Sequence, residues 1–150
     1  SVLGAAAGGV AGLVAITPAA GFVGVPAALL IGLGAGVFCY WAVQLKARLG
    51  IDDSLDVWGV HGVGGVWGAL ATGLFASAAI NSAGANGLFF GNPRQVLIQL
   101  AAIVTVSVYS MAVTWIILKA LDITIGLRVG IEEEREGLDA TQHGEIAYQL

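Results

Sequence analysis

The stretch DDSLDVWGVHGVGG, residues 52–65, places three carboxylates just before a histidine that begins a long apolar segment. A side chain that can carry charge inside a membrane span is costly, and such residues often mark functional sites. His61 is therefore the first candidate functional residue. A histidine among apolar neighbours can also be a satisfied core residue, so position alone leaves both interpretations open.

Charged residues make up 11% of the 150 positions, whereas an ordinary soluble domain carries roughly 25%. Residues 1–45, 57–93 and 95–118 contain no Asp, Glu, Lys or Arg. A helix needs about 20 apolar residues to cross a bilayer, so the first run is long enough for two spans and the others for one each. The sequence predicts an all-α, multi-pass membrane protein with spans at about 2–16, 27–45, 56–79 and 95–121 and a hydrophilic tail at 126–150.

Glycines recur at every fourth position within the apolar runs, at Gly4, Gly8 and Gly12, at Gly32 and Gly36, and at Gly64 and Gly68. Small residues at this spacing let helix backbones approach closely in lipid. The residues between them are Ala, Val, Leu and Ile rather than Ser or Asn, which argues against a flexible linker. The pattern therefore favours tightly packed membrane helices.

The first predicted span is short, because 15 residues give only about 23 Å against a hydrocarbon core of about 30 Å. The chain also begins with Ser1 rather than Met. Together these two observations predict that the chain is part of a longer protein.

Lysine and arginine residues predict the orientation in the membrane. All of them except Arg94 fall on one side of the predicted spans, at Lys46, Arg48, Lys119, Arg128 and Arg135. Positive residues accumulate in cytoplasmic loops. We therefore expect a multi-pass protein of the cell membrane whose tail is cytoplasmic and whose 81–94 loop faces outside.

The residues around His61 suggest both a helix start and a path for a small molecule. Asp53 and Asp56 stand where a helix would begin, and both are expected to cap its free amides. The glycines at Gly59, Gly62 and Gly65 leave room for a neighbouring helix or a small molecule beside His61. A buried imidazole without charged partners favours its neutral form, which donates one hydrogen bond and accepts another.

Other classes of function find little support. The chain is acidic and lacks the basic stripe of a nucleic-acid-binding protein. His61, His143 and the single Cys39 do not have the spacing of a zinc site, and no Gly-x-Ser-x-Gly sequence of a hydrolase is present. Cys39 has no partner for a disulfide and is expected to serve in packing. We expect neither enzyme activity nor a cofactor.

The pattern Asp-Asp-x-x-Asp-x-x-x-x-His-Gly-x-x-Gly at residues 52–65 resembles the signature of the ammonium transporter family, the Amt/Mep/Rh group. The Thr-Pro-Ala sequence at 17–19 and the tail at 126–129, 134–139 and 143–145 are also similar to this family. The tail is closer to the microbial and plant Amt branch than to Rh proteins. The resemblance covers nearly the whole chain and corresponds to the last four of the family's about eleven helices.

The resemblance implies that the substrate is ammonium or ammonia and that each subunit of a homotrimer encloses its own narrow pore. His61 would be the second of two pore histidines, which guide the neutral species after ammonium has lost its proton. Val57 and Thr17 would also line this pore. Structural residues beside the pore are expected at Asp53, Asp56, Gly62 and Gly65.

The resemblance also implies a regulatory tail that contacts a neighbouring subunit and forms part of the surface bound by PII-type signal proteins. Its candidate residues are Gly126, Arg128, Glu134, Arg135, Gly137 and Asp139. Residues 132–136, four glutamates and an arginine, are predicted to form a short helix that ends at Gly137. A charged run of this kind is often only a solvated surface, and that interpretation stays open.

Two alternatives remain beside the transporter. The chain could belong to a non-transporting ammonium sensor with the same fold, or it could be a truncated subunit that assembles with full-length ones. The first pore histidine and the outer aromatic site of the family belong to upstream helices. We therefore expect that these 150 residues alone do not transport.

Overall fold

The computed structural model describes residues 1–145, and all regular structure within this range is helical. The α-helices are α1 (Val2–Ile16), α2 (Val25–Leu49), α3 (Val63–Phe75), α4 (Arg94–Thr124) and α5 (Ile131–Glu136). Short 3₁₀ turns occupy Thr17–Ala19 and Leu88–Phe90, and π-helical turns occupy Trp58–Gly62 and Asp139–His143. The predicted all-α class is confirmed.

Three segments of the described chain are long and apolar enough to cross a membrane, namely Val2–Ala19, Val25–Leu49 and Arg94–Thr124. The predicted span at 56–79 has a different form, because its helix runs over residues 57–75 and consists of the π turn followed by α3. We call residues 57–75 the histidine helix. This helix ends before residue 79 because Ala76 is extended (φ −59°, ψ 142°) and the Ser77 amide donates to the Phe22 carbonyl at 2.9 Å.

Helix α2 is longer than the predicted 27–45 segment at both ends. Pro26 lies in its first turn, where the missing N–H of proline is harmless. At the other end Gly50 adopts the left-handed conformation (φ 63°) that commonly terminates a helix. Lys46 and Arg48 occupy the last turn, where positive charge is favourable.

Helices α1, α2 and α3 pack around a core of small side chains. Its buried residues are Ala11, Ala15, Ala19, Ile31, Ala35, Cys39 and Ala71. Because these side chains are small, the backbones approach closely. A Cβ on Gly68 would overlap the Ala15 carbonyl, and a Cβ on Gly34 would lie 2.6 Å from the Trp67 ring. The Trp67 indole N–H donates to the Ile31 carbonyl at 2.9 Å.

Apart from Gly4, where an added Cβ would lie 3.3 Å from the Ser1 hydroxyl oxygen, the spaced glycines divide into two groups. Gly64 and Gly68 of α3 meet neighbouring helices, as their spacing predicts. At Gly8, Gly12, Gly32 and Gly36 an added Cβ would meet no atom within 4 Å. Only part of the small-residue surface is therefore used for packing within the described chain.

The chain divides into two compact units, and the second begins at Ser107. It contains the end of α4, where Gly126 (φ 78°) follows the last turn, and the short helix α5. Helix α5 ends at Gly137 (φ 107°), so the short helix predicted there is confirmed. The Gln142 side-chain amide donates to Glu133 at 3.0 Å and links α5 to the following π turn.

Candidate functional site

The histidine helix begins at an acidic cap. The two carboxylate oxygens of Asp53 accept hydrogen bonds from the amides of Val57 and Trp58, each at 2.9 Å. These amides lie in the first turn, where no helical carbonyl is available to them. The capping role predicted for Asp53 is confirmed.

Asp56 does not cap the helix with its side chain as expected. Its carboxylate accepts a hydrogen bond from the Lys46 ammonium. Its backbone has a φ of +57°, a left-handed conformation uncommon for residues other than glycine. The Asp56 carbonyl accepts from the Val60 amide at 2.8 Å. Asp56 therefore shapes the helix start through its backbone, and its charge is used in an ion pair.

Lys46 is a residue of the site that sequence reasoning missed, because in the sequence it stands out only as a positive charge that predicts orientation in the membrane. It is only 8% exposed in the last turn of α2. Its ammonium also donates to the Asp53 carbonyl and lies 4.0 Å from an Asp53 carboxylate oxygen. The available signal was a lysine followed, across a glycine turn, by carboxylates seven and ten residues later.

The next turn of the histidine helix is a π turn, in which the Val63 amide donates to the Trp58 carbonyl. Gly59 of this turn rests on α2, where an added Cβ would lie 2.8 Å from the Val43 side chain. The Cys39 thiol lies 3.5 Å from the Val60 carbonyl. Such π turns occur frequently at functional sites, and here the turn contains His61.

The His61 side chain is exposed in the described chain. Burial of its imidazole would need helices other than those of the described chain. The reason is that α1 and α2 cover the side of the helix on which Gly59 and Gly64 lie, and His61 lies outside that packing. Val57, one turn earlier, is also exposed, at 56%.

The glycines near His61 leave the expected space. A Cβ on Gly65 would meet no atom within 4 Å, and one on Gly62 would meet only the Trp58 side chain at 3.7 Å. Thr17 is exposed at the end of α1, and its hydroxyl donates to the Leu13 carbonyl at 2.8 Å. The Thr17 hydroxyl oxygen can still accept a hydrogen bond from another molecule.

The tail residues form local contacts. Arg128 lies 3.9 Å from Glu134, and Arg135 lies 3.5 Å from Glu132, in exposed pairs that contribute little to stability. The Asp139 carbonyl accepts from the Glu145 amide at 2.9 Å. Within residues 1–145 no group of three or more His, Cys, Asp or Glu side chains is arranged to hold a metal ion.

Together, the fold and this site define a polytopic all-α membrane protein with an exposed histidine in a π turn. The sequence pattern of the Ammonium Transporter Family matches residues 1–148. The chain belongs to this family, which confirms the resemblance seen in its motifs.

Relatives from bacteria and archaea support the same assignment. The chain is 51% identical over 150 residues to the ammonium transporter of Bacillus subtilis, covering 99% of this chain and 37% of that protein. It is 49% identical over 146 residues to ammonium transporter Amt1 of Archaeoglobus fulgidus, covering 97% of this chain and 37% of the relative. The chain thus spans little more than a third of the length of these relatives.

Solved structures of yeast proteins are similar as well. Mep2 of Saccharomyces cerevisiae superimposes with a TM-score of 0.80 at 40% identity, covering 93% of this chain and 33% of that one. Mep2 of Candida albicans gives a TM-score of 0.77 at 41% identity, covering 85% and 29%.

Proposed function

We propose that this chain is the C-terminal part of an ammonium transporter and contributes one pore histidine and a regulatory tail to each subunit. The observation that carries the proposal is the family match over residues 1–148. Relatives named as ammonium transporters, at about half identity over nearly all of this chain, support it. We use the term complete subunit for the longer protein that would contain this chain.

His61 is proposed to lie on the path of the substrate. A neutral imidazole has one N–H donor and one nitrogen acceptor. Ammonia has N–H donors and one lone pair, so the two groups can exchange hydrogen bonds in either direction. Exposure of His61 in the described chain leaves it accessible to the rest of the complete subunit, where the other pore histidine would face it.

Val57 and Thr17 are proposed to line the same path. Val57 is exposed one turn before His61 and presents an apolar surface that disfavours a hydrated cation. Thr17 offers a hydroxyl oxygen as an acceptor, since its proton is directed to the Leu13 carbonyl. Asp53, Asp56, Gly62 and Gly65 would act indirectly, by fixing the helix start and leaving space beside His61.

The tail is proposed to be cytoplasmic and regulatory. The distribution of lysine and arginine supports this orientation. Gly126 and Gly137 have positive φ values, so the backbone of the tail turns at both positions. Contact with a neighbouring subunit of a homotrimer and with a PII-type signal protein would use residues 126–139.

The test is ammonium-evoked current from the complete subunit reconstituted in proteoliposomes. His61→Ala should reduce the current or alter the selectivity for ammonium without abolishing trimer assembly. His143→Ala, the other histidine of the chain, is the matched control and should leave selectivity unchanged. Wild-type flux and selectivity in His61→Ala would refute the pore role. A folded, trimeric complete subunit without current would point to electroneutral conduction or sensing.

A further inference from the structure

We propose that Lys46 is a positioning residue of the transport pathway, whose buried ammonium holds the Asp56 turn and thereby sets the direction in which Val57 and His61 project. This inference rests on the proposed function, because its effect is read as a change in ammonium conduction. It concerns a residue to which the proposed function assigns no role.

Lys46 is buried in the last turn of α2. The residue is 8% exposed, and a charge taken out of water destabilises a protein unless it is paired. Its ammonium donates to the Asp53 carbonyl and to the Asp56 carboxylate. These bonds join the last turn of α2 to Asp53 and Asp56, two of the three carboxylate-bearing residues that precede the histidine helix.

Asp56 has a left-handed backbone conformation. A residue other than glycine at a φ of +57° persists only where the surrounding structure imposes it. The Lys46 ammonium bonds the side chain of Asp56, and the Val60 amide bonds its carbonyl at 2.8 Å. The ion pair therefore fixes the one strained residue from which the histidine helix starts.

The Asp56 turn leads directly into the π turn that contains His61. Asp53 holds the Val57 and Trp58 amides, and the π turn follows at once. Val43, three residues before Lys46 and on the same face of α2, supports Gly59 of the π turn. One face of α2 thus holds both the turn and the π segment, and His61 lies within that segment.

Within the described chain, the turn also has room to move when its ion pair is lost. A cavity of about 300 Å³ lies beside it and is lined by Gln44, Asp56 and Val60 among others. The Asp56 side chain is 39% exposed, so an unpaired carboxylate could reach water by leaving its present position. Because Asp53 would keep its own amide partners, the expected change is confined to the Asp56 turn and the residues that follow.

The experiment measures ammonium-evoked current and the ammonium-to-potassium selectivity of the complete subunit in proteoliposomes, normalised to folded trimer from gel filtration. Lys46→Met should reduce current per trimer by about tenfold, since small displacements of a positioned group have large effects, and should change the selectivity. Lys46→Arg keeps the charge and should retain most of the current. Arg48→Met is the matched control, since Arg48 is an exposed residue of the same helical turn.

A rescue separates positioning from a general contribution to stability. Glycine adopts positive φ without strain. The double variant Lys46→Met/Asp56→Gly therefore removes the unpaired carboxylate, and its turn no longer needs an ion pair to hold the backbone conformation. We expect this double variant to recover much of the current and the wild-type selectivity, even if Lys46→Met alone fails to fold.

Several outcomes would overturn the inference. One is a Lys46→Met variant with the wild-type current per trimer and the wild-type selectivity. Another is a Lys46→Met variant that yields less folded protein but has an unchanged current per trimer. The third is a double variant that neither folds nor conducts. If the wild type conducts and Lys46→Met has the same current and selectivity, only the positioning role is rejected. A folded wild-type trimer that shows neither ammonium-evoked current nor ammonia uptake into the vesicles rejects the proposed function and this inference with it.

Discussion

Asp53 and Asp56 lie three residues apart in one loop, yet they have different roles. The sequence predicts a cap at both positions, and this is right for Asp53, because a cap depends only on the amides four and five residues later. Asp56 instead pairs with a lysine ten residues earlier, on the far side of the Gly50 turn. Propensities and spacing do not reveal that partner, because it depends on how α2 and the loop fold together.

Loss of the Asp53 cap should destabilise the histidine helix. Asp53→Ala removes both acceptors from the first turn, and replacing a cap by alanine typically lowers the free energy of unfolding by about 1 kcal/mol. The measurement is the thermal unfolding of the complete subunit in detergent. Ser54→Ala, at the exposed neighbouring position, is the control. Equal midpoints for the two variants would mean that the cap contributes nothing measurable.

The helices show how much of the packing can be read from glycine spacing. The repeat predicts close approach of backbones, and Gly68 provides it against Ala15. The same repeat on α1 and α2 includes positions that face open space in the described chain. Spacing identifies a small-residue surface but not the helix that covers it. The π turn was also unforeseen, because nothing in the local composition distinguishes it from an α turn.

The contact of α1 with α3 should not tolerate a methyl group at Gly68. In Gly68→Ala the added Cβ would overlap the Ala15 carbonyl, so the two backbones must separate. Overpacking of this kind typically costs about 1–3 kcal/mol. A clear drop in the thermal midpoint of the complete subunit is expected. Gly12→Ala, where a methyl group meets no atom of the described residues within 4 Å, should have a much smaller effect.

Helix α5 ends at a backbone position that requires glycine. Gly137 has a φ of 107°, a value that L side chains rarely adopt, so Gly137→Asp must change the backbone between α5 and the next turn. If the tail regulates transport, this variant should reduce ammonium flux in trimers that also contain wild-type subunits. Gly130→Ala is the control, because Gly130 has an ordinary φ of −61°. Unchanged flux in Gly137→Asp would make the tail an inert solvated segment.

At the scale of the whole molecule, the described chain leaves much apolar surface uncovered. No residue of α4 is buried, and large side chains such as Trp41 and Trp115 are mostly exposed. Lipid accommodates such a surface, and so would the remaining helices of a complete subunit. The sequence could predict the membrane class from composition alone, because that depends on run length and not on partners.

The 150-residue chain by itself should not conduct ammonium. It spans 37% of the Bacillus subtilis relative, and His61 is exposed without a facing histidine in the described residues. Proteoliposomes that contain only this chain should show the background current of empty vesicles. The complete subunit in vesicles of the same composition is the positive control. Ammonium-evoked current from the short chain would show that it completes a pore without upstream helices.

The small-residue core of α1, α2 and α3 has an evolutionary consequence. Apart from Ile31, its buried side chains are alanine and cysteine. Replacing these side chains by smaller ones can therefore remove very little volume from the core. Almost any other replacement adds volume where backbones are already in contact. Soluble domains with leucine-rich interiors drift by exchanging large side chains of similar size. The buried alanine positions of this bundle offer no such neutral exchange, so they should diverge more slowly than the exposed positions of the same helices.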